Sequence, residues 1–175
     1  MPVKVEMPTP DEMKNFFFEG MAGGYAAGEK AATDTPFTNW KTHDYHAKSK
    51  LWFLSDSWHA APDSHMSNGY TTISVHAGGG WRTVWQMQYW GWYEEQAIPL
   101  LLEALHATYT KGIFLGGRGP AVLTQNGLQY RNETTAHNNQ FIQFEGSEKI
   151  IRIGNEELLG THSFRGGSLI HALTF

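Results

Sequence analysis

The chain contains no cysteine, which removes disulfides, thiolate nucleophiles and every cysteine-ligated zinc or iron–sulfur site together. Charge is also scarce: 17% of the 175 residues are Asp, Glu, Lys or Arg, the net charge is −4, and no segment gathers Lys and Arg. A nucleic-acid partner is therefore not expected, because displacing phosphate counterions needs a basic stripe. No window approaches the roughly 18 apolar residues that span a bilayer, and MPVKVEMPTP lacks the apolar centre of a signal peptide. These absences predict a cytoplasmic protein without a membrane partner. What is abundant is ring surface, with 14% aromatic residues and seven Trp. A chain of this length is most simply one domain, able to bury about two thirds of the surface its unfolded form exposes.

Residues 1–8 read as an extended tail, since Pro2 and Pro8 oppose helix, and the domain is expected over 9–175. Thr9, Pro10 and Glu12 make a capping box with Pro at the first helical position. Met13, Phe16 and Phe17 give the helix an apolar face, and Gly20 offers a stop. Gly20 to Lys50 reads as a long loop or a pair of short strands. Three strands are predicted next, over Leu51 to Trp58, Tyr70 to Ala77 and Trp81 to Trp92, the last two joined by Gly78, Gly79 and Gly80 in a hairpin. Pro99 then starts a helix reaching about Lys111, with Ile98, Leu101, Leu102, Leu105 and Tyr109 at helical spacing and Gly112 closing it.

After Gly116 to Pro120, three more strands are predicted over Leu128 to Thr134, Ser147 to Ile153 and Glu157 to Arg165. Setting Gly69 against Gly146 and Gly91 against Gly166 pairs Tyr89 with Phe164, Met87 with His162 and Ile73 with Ile150. The shared order predicts an internal duplication, about 50–92 and 127–167. The fold class expected is α+β: a twisted antiparallel sheet or partial barrel of two related three-stranded units, with two main helices packed on it.

THDYH at Thr42 to His46, SDSW at Ser55 to Trp58, VWQMQYWG at Val84 to Gly91, FLGGRGP at Phe114 to Pro120 and FRGG at Phe164 to Gly167 resemble a bacterial family known as a domain of unknown function. Its members occur alone or behind a repressor-type helix-turn-helix. The resemblance covers roughly residues 12–170. Its Ser/Thr-His-Asp motif falls on Thr42, His43 and Asp44, its Asp-x-aromatic motif on Asp56 and Trp58, and its Trp-x-Met-x-Tyr-x-Gly strand on Trp85, Met87, Tyr89 and Gly91. Its Gly-x-Glu-x-Val strand is met by Glu148 but departs at Thr71. The family implies a fold and the location of a site, and no activity.

Alternation along strands sorts the side chains. Trp81, Trp85, Met87 and Tyr89 share one predicted face; Val84, Gln86, Gln88, Trp90 and Trp92 share the other. On the neighbouring strand Ile73 and Val75 oppose Tyr70, Thr72, Ser74 and His76. The plainer reading packs the apolar face under the central helix and leaves the other to solvent. The sharper reading makes Trp58, His59, His76, Gln86, Gln88 and Trp90 a ligand surface, amides orienting a neutral molecule and rings supplying area, with Arg118 assisting from its glycine loop. An acid–base reading takes His43, with Asp44 or Asp56, as the proton-transferring pair and Tyr89 as a donor. The same residues also suit plain scaffolding. Nine histidines invite a metal reading, but HxxH at His43 and His46 and the gap from His59 to His65 are not diagnostic, so no metal ligand is assigned. No cofactor motif is present, since the loop at Gly116 lacks the Lys-Ser/Thr of a P-loop. The function expected is binding of a small neutral or weakly anionic organic molecule, with acid–base catalysis left open. The alternative is a non-catalytic effector-sensing or protein-interaction module, including a homodimer through Trp90 and Trp92.

Overall fold

The computed structural model describes residues 7–28, 32–33, 39–47, 51–135 and 141–171. Most of the expected tail lies outside them. Among the described residues nine strands form one open sheet, β1 (Ala32–Thr33), β2 (Trp40–His46), β3 (Trp52–Ala60), β4 (Met66–Ala77), β5 (Gly80–Tyr93), β6 (Val122–Gln125), β7 (Leu128–Thr134), β8 (Gln143–Arg152) and β9 (Leu158–Ser168). The spatial order is β1-β2-β3-β4-β5-β9-β8-β7-β6, and every pairing is antiparallel. Two meanders therefore meet edge to edge at β5 and β9. The helices α1 (Pro10–Ala22) and α2 (Ile98–Tyr109) accompany the sheet, which makes the fold α+β as expected. No helix among the described residues is long and apolar enough to cross a membrane.

Local signals explain the helices. Thr9 Oγ1 accepts from the Glu12 N–H at 3.3 Å while the Thr9 N–H donates to Glu12 Oε2 at 2.8 Å, the reciprocal capping box read from the sequence. Phe17 of α1 is wholly buried and its ring meets Trp85, Tyr109, Phe114 and Phe141 at centroid distances of 5.3 to 5.9 Å. Trp85 stacks on Phe141 at 4.6 Å and donates its indole N–H to the Phe141 carbonyl at 2.9 Å. Ring area here fastens both helices, the connection after α2 and both meanders to one sheet face.

Within Gly20 to Lys50, expected as a long loop or a pair of short strands, lie the short strands β1 and β2; the alternation WKTHDYH places polar residues on both faces of β2, so its bounds carried no clear pattern. One strand was not expected. β6 is four residues long at the sheet margin and carries little apolar pattern. The face assignment of β5 also needs a correction. Trp85, Met87 and Tyr89 are buried as expected, but Trp81 is 48% exposed and Val84 is buried, the reverse of strict alternation. The cause is a bulge: Ile73 pairs with Trp85 and Ser74 with Thr83, so Val84 is the extra residue and everything before it changes face.

Candidate ligand site

The covered face carries a row of residues across the central strands. Tyr89 on β5 pairs with Gly69 on β4 and with Phe164 on β9, which in turn pairs with Gly146 on β8. A Cβ on Gly69 would come within 2.5 Å of the Tyr89 ring atoms. The missing side chain is what lets the tyrosine lie across β4 and reach β3. There its hydroxyl donates to Asp56 Oδ1 at 3.0 Å, and Thr71 donates to the same oxygen at 2.7 Å. No hydrogen bond reaches Asp56 Oδ2 among the described residues. Burial raises the Asp56 carboxyl above the ordinary range, against the opposing pull of Thr71, Tyr89, Arg118 and His43. Burial, with the charge of Asp56, pushes the Tyr89 phenol far up.

On the other side of that row sits Glu148, 1% exposed, beside Arg118 at 5%. Arg118 donates to Glu148 Oε1 from both Nε, at 2.8 Å, and Nη2. Tyr93 donates to the same oxygen at 2.8 Å, and Tyr130 donates to Oε2 while accepting from the Gly119 N–H at 2.9 Å. Burial alone would raise the Glu148 carboxyl, but the Arg118 guanidinium overcomes it and holds it below the usual range. Burial likewise works against the Arg118 charge and Glu148 restores it, so Arg118 stays charged. The loop that carries Arg118 is tied by Tyr109 Oη to the Gly117 carbonyl at 2.8 Å and by Thr108 Oγ1 to the Arg118 carbonyl at 2.9 Å. The glycines at 116–119 thus serve to drive an arginine into the interior rather than to cradle an anion with free N–H groups.

His162 on β9 completes the set. Its ring lies 4.7 Å from that of Tyr93, Nε2 is 3.1 Å from Ser67 Oγ, and Nδ1 has no hydrogen-bond partner among the described residues, standing 3.9 Å from Glu148 Oε1. Burial, then the charge of Arg118, lowers its pKa to about 4. The imidazole is therefore neutral near pH 7.

Asp56, Tyr89, Arg118 and His162 open onto one cavity of about 420 Å³ between the sheet and α2. Its walls are Trp58 and Tyr93 from the sheet, Ile98, Leu101, Leu105 and Tyr109 from α2, and Met21, Tyr25 and Ala26 from the end of α1 and the turn after it. Tyr25 packs edge-on against Trp58 at 5.2 Å. Lys41, Ser64, His65, Met66 and Glu95 are the exposed residues at its margin. Apolar walls with a few inward polar atoms, at this volume, match the make-up of small-molecule pockets, which run roughly 300–1,000 Å³.

The structure brings together Asp56, Tyr89, Trp58 and Arg118 of the residues singled out from sequence. The others lie elsewhere. His43 pairs with Asp56 across β2 and β3, but its Nε2 is 3.3 Å from the Gly20 carbonyl and its ring fills the space beside Gly24, so it braces the end of α1 and is absent from the cavity lining. Asp44 is exposed on the opposite face of β2. His59 packs edge-on against Trp40 at 4.6 Å, and the exposed His76 against Trp81 at 5.5 Å. Gln86 and Gln88 line a shallow cleft with Arg165 and Glu145 on the uncovered face, and Trp90 stands 45% exposed on that same face. Tyr25, Ser67, Tyr93, Tyr109, Tyr130, Glu148 and His162 were missed as site residues. Tyr93 was within reach of alternation, four residues beyond Tyr89, and His162 was already aligned with Met87; Tyr25 carried no signal.

Comparison of the chain with protein-family models, with curated proteins and with solved structures returned no match.

Proposed function

We propose that the protein binds a small organic molecule in the cavity over Asp56. The observation that carries this reading is the half-satisfied carboxyl: Oδ1 takes two hydroxyl donors, Oδ2 takes none among the described residues, and the residue is 5% exposed at the wall of a 420 Å³ cavity. An acceptor at the wall of an otherwise apolar cavity is the kind of placed polar group that orients a small molecule. A ligand donor completes it. Tyr25, Trp58, Tyr93 and Tyr109 supply contact area around that point. Arg118 was the group expected to draw an anion, and Glu148 already occupies it, so the anionic side of the expectation loses its support. If a proton moves during turnover, Asp56 with Tyr89 is the pair at the cavity, in place of His43 and Asp44.

Non-catalytic sensing is the alternative. It is favoured by the neutral His162 and by the burial that pushes the Tyr89, Tyr93 and Tyr109 phenols up, so that these interior lining groups do not exchange protons near neutral pH. Protein contact through Trp90 and Trp92, including a homodimer, keeps the support of Trp90, 45% exposed on the uncovered face, whereas Trp92 is half-buried. We also propose that the two meanders descend from one duplicated unit, supported by the matching placement of Gly69 beneath Tyr89 and Gly146 beneath Phe164. The resemblance to the domain-of-unknown-function family belongs with this reading, since its Asp-x-aromatic motif supplies Asp56 and Trp58. A cytoplasmic setting suits the cysteine-free composition.

The test is a metabolite library read by melting temperature and tryptophan emission, on the native chain and on Trp58→Phe. A ligand of this cavity raises the midpoint of both proteins and shifts emission far less in the variant. Hits indifferent to Trp58 and to Asp56→Asn would remove the reading.

A further inference from the structure

The charges around the cavity are unequally matched. Arg118 spends Nε and Nη2 on Glu148 and lies over the Tyr89 ring, 5.3 Å from its centroid. His162 contributes a neutral ring. Lys41 and Glu95 stand at the exposed margin, one of each sign. Asp56 is the remaining interior charge, and no cation makes a hydrogen bond to it among the described residues. An incoming carboxylate or phosphate would meet that carboxylate and an arginine already engaged. A neutral ligand would leave the Asp56 charge unmatched whenever it is ionised.

On the premise that the cavity binds a small molecule as proposed above, we infer that its ligand is an organic cation of one-ring size, an amine or amidine whose N–H group bonds Asp56 Oδ2 while its body lies among Tyr25, Trp58 and Tyr93. Two features of the site favour this class independently. The first is geometric: Thr71 and Tyr89 both sit on Oδ1, so Oδ2 is the open acceptor, and an ammonium or amidinium is the donor that matches charge and hydrogen bond at once. The second is the wall, because the faces of tryptophan and tyrosine attract cations. A ligand cation also favours the ionised form of Asp56, reversing the effect of burial. The titratable and charged groups that face Asp56 are His43 from β2, Tyr89 from β5, Tyr25 from the turn after α1, Tyr109 from α2 and Arg118 from its loop. Binding of such a ligand and loss of the Asp56 proton are thus linked.

Benzylamine, benzyl alcohol and benzoate share one shape and differ in charge, which makes them the probes. Each is titrated into the native chain near neutral pH, with the Trp58 indole N–H followed by NMR. The expected result is benzylamine binding at least about tenfold tighter than benzyl alcohol, a difference of about 1.4 kcal/mol, with benzoate weakest. Asp56→Asn should bring the amine and the alcohol to equal affinity while the alcohol still binds. Should that variant fold poorly, the native chain decides: acidification through the Asp56 titration weakens benzylamine and leaves benzyl alcohol unchanged. If benzyl alcohol or benzoate binds as well as the amine, or if Asp56→Asn or acidification leaves the amine's advantage intact, the charge assignment falls and the pocket stands. If none of the three moves the Trp58 signal, both fall.

Discussion

Asp56 and Glu148 are two buried acids on one sheet face, and they are held in opposite ways. In the first meander the acid sits on β3 and pairs with a hydroxyl, Thr71, on β4; in the second it sits on β8 and pairs with an amide, Asn132, on β7. Glu148 receives a guanidinium through two nitrogens and two phenols, one on each oxygen, and its carboxyl is driven down. Asp56 receives two neutral hydroxyls on one oxygen, and its carboxyl is driven up. Burial is nearly the same at both sites, so burial does not decide the outcome. The charge of the donors and the number of oxygens they reach do. One acid is structural mortar, and the other is available at a cavity wall.

The largest expected effect breaks the Glu148 side. Glu148→Gln leaves the Arg118 charge buried without a counter-ion, and stranding one partner of such a pair costs about 3–5 kcal/mol. Asp56→Asn strands no partner charge and its amide oxygen still accepts from Thr71 and Tyr89, so its cost should stay within about 1 kcal/mol. Urea denaturation of the two variants measures the contrast, and equal losses would mean that the two acids do the same job. An effect between these two is expected at Gly69→Ala, where the new methyl collides with the Tyr89 side chain and the Ser57 carbonyl; overpacking of this kind costs about 1–3 kcal/mol. Since it displaces the phenol from Asp56 and leaves Arg118 with Glu148, ligand affinity should fall more than stability.

Acid stability sharpens the contrast further. His162 has a lowered folded pKa, so its contribution is complete above the ordinary histidine value of about 6.5 and is lost as pH falls toward about 4. The Glu148 contribution is complete above the ordinary glutamate range and is lost as pH falls through its lowered value. Asp56 runs the other way: its folded form holds the proton more tightly, so the stability it adds is full below the ordinary aspartate range and is lost as pH rises through the raised value. Replacing His162 with Gln should flatten the loss of midpoint between about pH 6.5 and 4. An unchanged profile would show that the ring takes up its proton without strain.

Much of this arrangement was legible in the residues. Thr9 and Glu12 announce α1, the three glycines at 78–80 announce the β4–β5 hairpin, and alternation separates Trp85, Met87 and Tyr89 from Gln86, Gln88 and Trp90. Asp56, Trp58, Tyr89 and Arg118 were marked as site residues. What alternation does not carry is which face the helices cover with a cavity left beneath them. Rings beside glutamines drew attention to the face that meets solvent, while the polar network hides among core residues. His43 was read as the partner of Asp56 because a carboxylate beside an imidazole can orient it for proton transfer; the two do share a cross-strand pair, yet the ring turns to the carbonyl of Gly20, a contact made by the folding of α1 back onto β2. Glu148 was noticed as one of an incomplete pair of glutamates. Its four donor atoms come from three separate stretches of chain, β5, β7 and the arginine loop, and no local pattern foretells such convergence. Trp81 and Val84 changed faces for a reason just as non-local, a bulge set by the pairing of β4 with β5.

The most direct test of the difference between the two acids is a carboxyl-carbon NMR titration of the native chain with Asp56 and Glu148 assigned. The account predicts that Asp56 takes up its proton above the ordinary aspartate range while Glu148 stays ionised until below the ordinary glutamate range, and that an amine bound in the cavity moves Asp56 downward and leaves Glu148 in place. Two carboxyls titrating together in the ordinary range, or Glu148 protonating before Asp56 as the pH falls, would contradict it.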